Sequence, residues 1–210
     1  TNATVLGLAP RCLSRGSRLL LSVLLAGAAM AQAAEIRSPA DTLLQASGIH
    51  GGLLVQVGWR DDALAARAAR TGRFLVHVLD PDPATVEKAR QSVQSQGLYG
   101  LVSVDRLDPS GKLPYAENLV NLLAIEARAA GKVSSAEVMR VLCPRGALLA
   151  ALDPSAQADV PRGQFEEVQT IEAGGQWWVA RKPWPAAMDQ WTHPRHAADG
   201  NAVSRDKLVG

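Results

Sequence analysis

Leu53-Leu54-Val55-Gln56-Val57, followed at once by Gly58, is the stretch on which the fold turns. It is short, almost continuously apolar and closed by a glycine, which suits a strand buried on both faces of a parallel sheet. A second run of the same kind, Phe74 to Leu79, follows an Ala-rich stretch that Asp61 or Asp62 can cap and Gly72 ends. A strand, a helix and a second strand of these lengths make a βαβ unit.

The pattern extends in both directions. Upstream, Ser38-Pro39 is an N-cap and first-turn pair that opens a short helix through about Ala46, stopped by Gly48, Gly51 and Gly52. Downstream, Asp82-Pro83 opens a long helix that Gly97 terminates, and Leu101 to Val104 and Leu119 to Ile125 read as the third and fourth strands. Ser134 and Glu137 form the capping box of a helix reaching Leu142, and Pro144-Arg145-Gly146 turns the chain into a fifth strand, Ala147 to Leu152. Glu166 to Glu172 and Gln176 to Lys182 then flank Ala173-Gly174-Gly175, which predicts an antiparallel hairpin. The expected fold is α/β: a Rossmann-like, doubly wound sheet of seven strands, the first five parallel, with the hairpin at its C-terminal edge.

Composition fits one ordinary domain with additions. Of 210 residues, 47% are apolar, 20% charged and 4% aromatic, which excludes collagen, a disulfide scaffold and wholesale disorder. Arg11, Arg15 and Arg18, the apolar run Leu19 to Met30 and the small-x-small triplet Ala31-Gln32-Ala33 have the layout of a signal peptide over residues 1–33. That layout predicts export to the periplasm or cell envelope. The apolar run is shorter than the roughly 20 residues a membrane span needs, so no stable span is expected after the leader is removed. Residues 34–182 form the α/β domain, and residues 183–210, rich in Pro, Trp and His without periodicity, read as a linker or the start of another domain.

Charge and cysteine narrow the partners. The formal charge is +2, but the leader holds three Arg and no acid, and the remainder carries 19 basic against 20 acidic side chains. No basic footprint for nucleic acid is present. Cys12 would depart with the leader, leaving Cys143, in an apolar helix-end context, as a small buried hydrophobe rather than a nucleophile. His193 and His196 stand three apart with no carboxylate or third His to complete a metal site, so no metal is expected.

The strand ends and loops resemble those of class I S-adenosylmethionine-dependent methyltransferases over about residues 40–182. Leu53 to Gly58 resembles the first strand and its following glycine, and Phe74 to Asp80 the second strand ending in the ribose-binding acid. Val102-Ser103-Val104-Asp105 resembles the third strand, whose terminal acid lies near the adenine. Leu113-Pro114-Tyr115-Ala116-Glu117-Asn118 is similar to the family's loop before strand four, and Glu137 to Gly146 to its E-x-x-R-V-L-x-P-G-G helix and turn. A narrower resemblance covers Met188 to His193 and Asn201 to Val203. It is similar to a junction in exported planctomycete-type proteins, where a methyltransferase-like domain precedes a pyrroloquinoline-quinone-type β-propeller. The resemblance implies S-adenosylmethionine as cofactor, held by Gly58, Asp80 and Asp105, and a β-propeller as the C-terminal neighbour.

The cofactor loop departs from that pattern. Gly58-Trp59-Arg60-Asp61-Asp62 keeps the first glycine, while Arg60 and Asp62 replace the second and third. A left-handed residue other than glycine costs roughly 1 kcal/mol, and a side chain there would fill cofactor space. Arg60 either intrudes or swings outward to pair with Asp61 or Asp62. Weak or absent cofactor binding is the expectation.

Several other groups are ambiguous on sequence alone. Asp80 also reads as the strand-end acid before the Asp82-Pro83 helix entry, and Asp61 and Asp62 as helix caps. Glu126 is a general base or, more simply, a solvated carboxylate at a helix start; His77, inside a strand, is a satisfied face histidine. Two functions follow: a methyltransferase with an unidentified acceptor, or a non-catalytic binding or scaffold domain of an exported β-propeller protein. A nicotinamide dehydrogenase is excluded by the missing G-x-G-x-x-G and by the hairpin.

Overall fold

The computed structural model describes residues 37–152, 162–189, 196, 198, 200 and 203–207. The leader predicted over residues 1–33, His193 and most of the junction-like segment lie outside them, and every element below belongs to the unit Ser38–Gly210.

Helix α1 (Pro39–Ser47) starts where Ser38 accepts the Asp41 amide and ends at Gly48 in a left-handed cap. Strand β1 (Gly52–Val57), helix α2 (Ala63–Arg70) and strand β2 (Phe74–Asp80) form the first βαβ unit. Helix α3 (Pro83–Ser95) is capped by the Asp82 carboxylate, which accepts from Ala84 and Thr85, and leads to β3 (Val102–Arg106). After β4 (Val120–Ile125) come a 3-10 turn (Ala127–Ala129), helix α4 (Ser135–Val141), β5 (Leu142–Ala151) and the hairpin β6 (Glu166–Glu172) and β7 (Gln176–Arg181).

The seven strands lie in the order β3-β2-β1-β4-β5-β7-β6. The first five pair in parallel, and β7 pairs antiparallel with both β5 and β6. The order reverses between β1 and β4, so their carboxyl ends diverge into a crevice. One core packs α1, α2 and α3 on the face carrying Leu54, Val76 and Val78; the other packs α4 and the 3-10 turn against Val55, Leu79 and Leu123.

The structure revises two local readings. The turn expected at Pro144-Arg145-Gly146 is a bulge inside β5, with Arg145 at φ 65° and the β4–β5 register slipping between Val120↔Leu142 and Leu122↔Ala147. The capping box at Ser134 is half built. The Ser134 hydroxyl accepts the Glu137 amide, but the Glu137 carboxylate turns away to take the Leu113 amide at 2.7 Å and the Arg140 guanidinium at 2.6 and 2.7 Å. Arg140 in turn donates to the carbonyls of Tyr115 (2.7 Å) and Leu113 (3.1 Å). The two segments that most resemble methyltransferases thus clasp each other.

At the end of β7, Lys182 is 9% exposed, and its ammonium donates to Asn118 Oδ1 (2.7 Å), Met139 O (2.6 Å) and Leu142 O (2.7 Å). Burial holds its pKa below the ordinary lysine value.

Candidate functional site

Parallel order brings three segments together at the crevice: the end of β1, the end of β2 and the turn after β4. Gly58 sits at their meeting point with φ 85°, its amide donating to Leu79 O at 2.7 Å. A Cβ there would stand 3.0 Å from both the Glu126 and Ala129 Cβ atoms. Backbone conformation and crowding both require glycine here.

Asp80 is fully buried, and its own chain supplies its hydrogen bonds. Oδ2 accepts the Trp59 amide at 2.8 Å; Oδ1 accepts the Asp82 amide at 2.9 Å and Arg128 Nη2 at 3.2 Å. Arg128 also donates through Nη1 to Trp59 O (3.0 Å) and through Nη2 to Thr85 Oγ1 (3.3 Å). One guanidinium therefore joins the β1 loop, the end of β2 and the start of α3. Below them Gln56, 1% exposed, donates to Gly58 O at 3.3 Å, while its own carbonyl oxygen has no partner.

Of the two loop conformations expected, the structure takes the outward one. Arg60 swings outward, donates to Asp61 Oδ2 at 3.2 Å and reaches Gly174 O in the hairpin at 3.5 Å. Neither Arg60 nor Asp62 is left-handed: the non-glycine residues of positive φ among the described ones are Asn118, Arg145, Glu167 and His196. The anticipated strain at positions 60 and 62 is absent because the chain takes ordinary dihedrals there instead of the tight turn three glycines would make. Asp61 accepts the Ala63 amide at 3.0 Å as a helix cap, and Asp62 instead binds Ser92 at 2.9 Å and Gln96.

Asp105 is not part of this cluster. Strand alternation puts Asp80 with Val76 and Val78 on one face, whereas Asp105 meets His77, on the other. Its carboxylate is 58% exposed and binds Arg90 Nη2 at 2.9 Å and His77 Nε2 at 3.1 Å. His77 Nδ1 faces the Tyr115 hydroxyl at 2.7 Å, so His77 is the satisfied face histidine expected. Burial and the Asp105 charge push the Tyr115 pKa up, keeping the phenol a hydrogen-bond donor.

Glu126 corrects the sequence reading. It is 6% exposed rather than solvated, at the start of the 3-10 turn and against Gly58. Burial raises its pKa to about 7, with Arg60 and Arg128 opposing the rise and Asp61 adding to it. Cys143 lies in the β5 bulge, half-buried, accepting from Asn121 Nδ2 at 3.5 Å; burial raises its pKa, so the thiol stays protonated. His196 pairs with Asp189 at 2.5 Å, and among the described residues no group of His, Cys, Asp and Glu is placed to hold a metal. Arg128 and Thr85 were not singled out by the sequence. The available signal for Arg128 was its position, a cation three residues past Ile125 on the strand that parallel order sets beside β1.

Against known proteins, no family model matches the sequence, and no curated relative does. Solved structures do match. A SAM-dependent methyltransferase from Aquifex aeolicus superposes with a TM-score of 0.53 at 16% identity, over 69% of this chain and 88% of that one. A SAM-dependent O-methyltransferase from Thermotoga maritima gives 0.56 at 14% identity, over 71% and 73%. The [4+2]-cyclase SpnF gives 0.54 at 16% identity, over 70% and 80%. Identities this low speak for shape and leave chemistry to the site. The fold of this chain is the class I methyltransferase fold.

Proposed function

We propose that this chain is a methyltransferase-shaped domain whose S-adenosylmethionine site is closed by its own side chains, serving as a binding or scaffold module of an exported protein. The observation that carries the reading is Asp80. The carboxylate expected to accept two ribose hydroxyls is instead buried under Arg128, with three donors from its own chain. The residues as arranged do not fit the cofactor: Arg128 spans from Trp59 O to Asp80 and occupies an acceptor position on that carboxylate. Displacing it would break three hydrogen bonds, each contributing about 1 kcal/mol net. Titration calorimetry of the full chain with S-adenosylmethionine tests this. No binding heat is expected; a low-micromolar dissociation constant, lost in Asp80→Asn, would overturn the reading.

Export and a C-terminal β-propeller complete this proposal, supported by the Arg-rich apolar leader and by the Met188–Val203 resemblance. Mass spectrometry of the native protein should find a mature N-terminus near Ala34; a chain retaining Arg11 to Arg18 would count against export.

A second reading, methyl transfer to an unidentified acceptor, is favoured by Glu126. A buried carboxyl with a pKa near 7 at the end of β4 suits proton abstraction at neutral pH. The same calorimetry decides between them, because an enzyme of this kind must first hold its methyl donor.

A further inference from the structure

Three of the four connections between successive parallel strands carry an α-helix; the fourth, residues 107–119 between β3 and β4, carries none. That loop covers its face of the sheet only in part. It sets Leu113 and Tyr115 against the strands, and Tyr115 ends at His77. Toward the amino ends of the strands no helix follows. Leu75 shares the His77 side of β2 by strand alternation. It lies in register with Leu53 and beside Leu101, whose carbonyl accepts the Val76 amide at 3.2 Å. Tyr99 stands at the tip of the turn into β3, which Leu101 N closes on Leu98 O at 3.0 Å, and Leu119 leads into β4. Leu75, Tyr99, Leu101 and Leu119 are between 47% and 85% exposed. Gathered at one end of the sheet, they are a patch rather than the scattered apolar groups of an ordinary surface.

Charge and area say what the patch fits. Arg73, exposed just before β2, has no hydrogen bond or ion pair from its guanidinium among the described residues. Arg70, at the end of α2, donates to the neutral Gln96 Oε1 at 2.8 Å. Two guanidiniums without a carboxylate partner therefore stand at this end, with exposed His50 before β1, against the single exposed acid Glu117 before β4. The four apolar side chains present on the order of 500 Å², short of the roughly 800 Å² that each partner gives a stable protein–protein interface. A second copy of the chain would also set these cations against their own kind. We propose that the amino end of the sheet docks on an anionic lipid bilayer. Leu75, Leu101 and Leu119 enter the acyl boundary, Tyr99 sits at headgroup level, and Arg70 and Arg73 face lipid phosphates. This docking needs nothing from the crevice, which opens at the opposite, carboxyl ends of the strands.

The test is co-sedimentation of the full chain with vesicles of phosphatidylglycerol and phosphatidylcholine in equal parts, and with vesicles of phosphatidylcholine alone. Tyr99→Ser combined with Leu101→Ser should weaken binding to the mixed vesicles about tenfold, as their apolar area no longer leaves water. Arg73→Gln should weaken it about fivefold on the mixed vesicles and leave phosphatidylcholine binding unchanged. Val168→Ser, at an exposed position on β6, is the control and should bind as the unmodified chain does. Because the apolar run Leu19 to Met30 can bind lipid by itself, hydrogen exchange supplies a local readout. Mixed vesicles should protect the peptide spanning Gly97 to Leu101 and leave the β6–β7 turn unprotected. Vesicle binding that ignores these substitutions, with no protection at Gly97 to Leu101, would overturn the proposal. So would a concentration-dependent dimer that Tyr99→Ser dissociates, since a second copy would then be the occupant. If the double variant fails to unfold cooperatively, Tyr99→Ser and Arg73→Gln alone decide, both lying in exposed turns.

Discussion

Two arginine–carboxylate clasps of similar chemistry hold loops in this sheet, and they differ in what they enclose. In α4, Glu137 and Arg140 sit one helical turn apart and together bind both the amide and carbonyl of Leu113 and the carbonyl of Tyr115. Both partners are shielded, Glu137 at 14% and Arg140 at 25% exposure, and their geometry is set by one helix. At the crevice, Asp80 and Arg128 come from segments 48 residues apart, and only the acid is fully buried. The first clasp is bound into the frame of the domain. The second pairs a fixed acid with a cation that water can receive. A charge pair is structural when both members are committed, and displaceable when one keeps an open route to solvent.

That contrast breaks first on stability. Glu137→Ala strips Arg140 of its anion and leaves the Leu113 amide without its acceptor, which should cost about 3–4 kcal/mol in urea unfolding. Arg128→Ala removes three hydrogen bonds and leaves the buried Asp80 carboxylate with two amide donors, and should cost about 2–3 kcal/mol. Arg60→Ala, removing an exposed pair with Asp61 at 53% and 52% exposure, should stay within about 0.5 kcal/mol. Equal losses at Glu137 and Arg128 would erase the distinction between the clasps.

Glu126 sharpens it from the side of pH. Its folded pKa, about 7, lies above the ordinary 4.5, so between those values the folded state holds a proton that the unfolded state has released. Stability from this group is therefore full below pH 4.5 and declines as pH rises toward 7, by about 3 kcal/mol in all. Glu126→Gln should flatten that decline in denaturation profiles taken at pH 5 and pH 8. An unchanged slope would mean Glu126 is hydrated in solution and the crevice wetter than its packing implies.

The frame was legible in the sequence because its determinants are local or repetitive. Short apolar runs predict buried parallel strands, Ser38-Pro39 and Asp82-Pro83 announce their helices, and Ala173-Gly174-Gly175 announces the hairpin. The crevice was less legible. Gly58 and Asp80 were identifiable from their strand ends, and they do meet through the Trp59 amide. Asp105 followed the same reasoning but faces the other side of the sheet, since one position along a strand reverses a side chain. Arg60 is the cation that stands inside the loop. The side chain that crosses the site comes from the far side of a strand crossover, and no spacing rule links position 128 to position 80.

The buried lysine at the end of the last strand also has a mechanical meaning. Tension applied to the chain beyond Lys182 meets an ammonium anchored to Asn118, Met139 and Leu142 before it reaches the β5–β7 ladder. Those three acceptors lie on the loop before β4, on α4 and at the start of β5, so the load divides among separate segments instead of peeling one strand from the edge. Lys182 acts as a strain relief at the point where the polypeptide leaves the sheet.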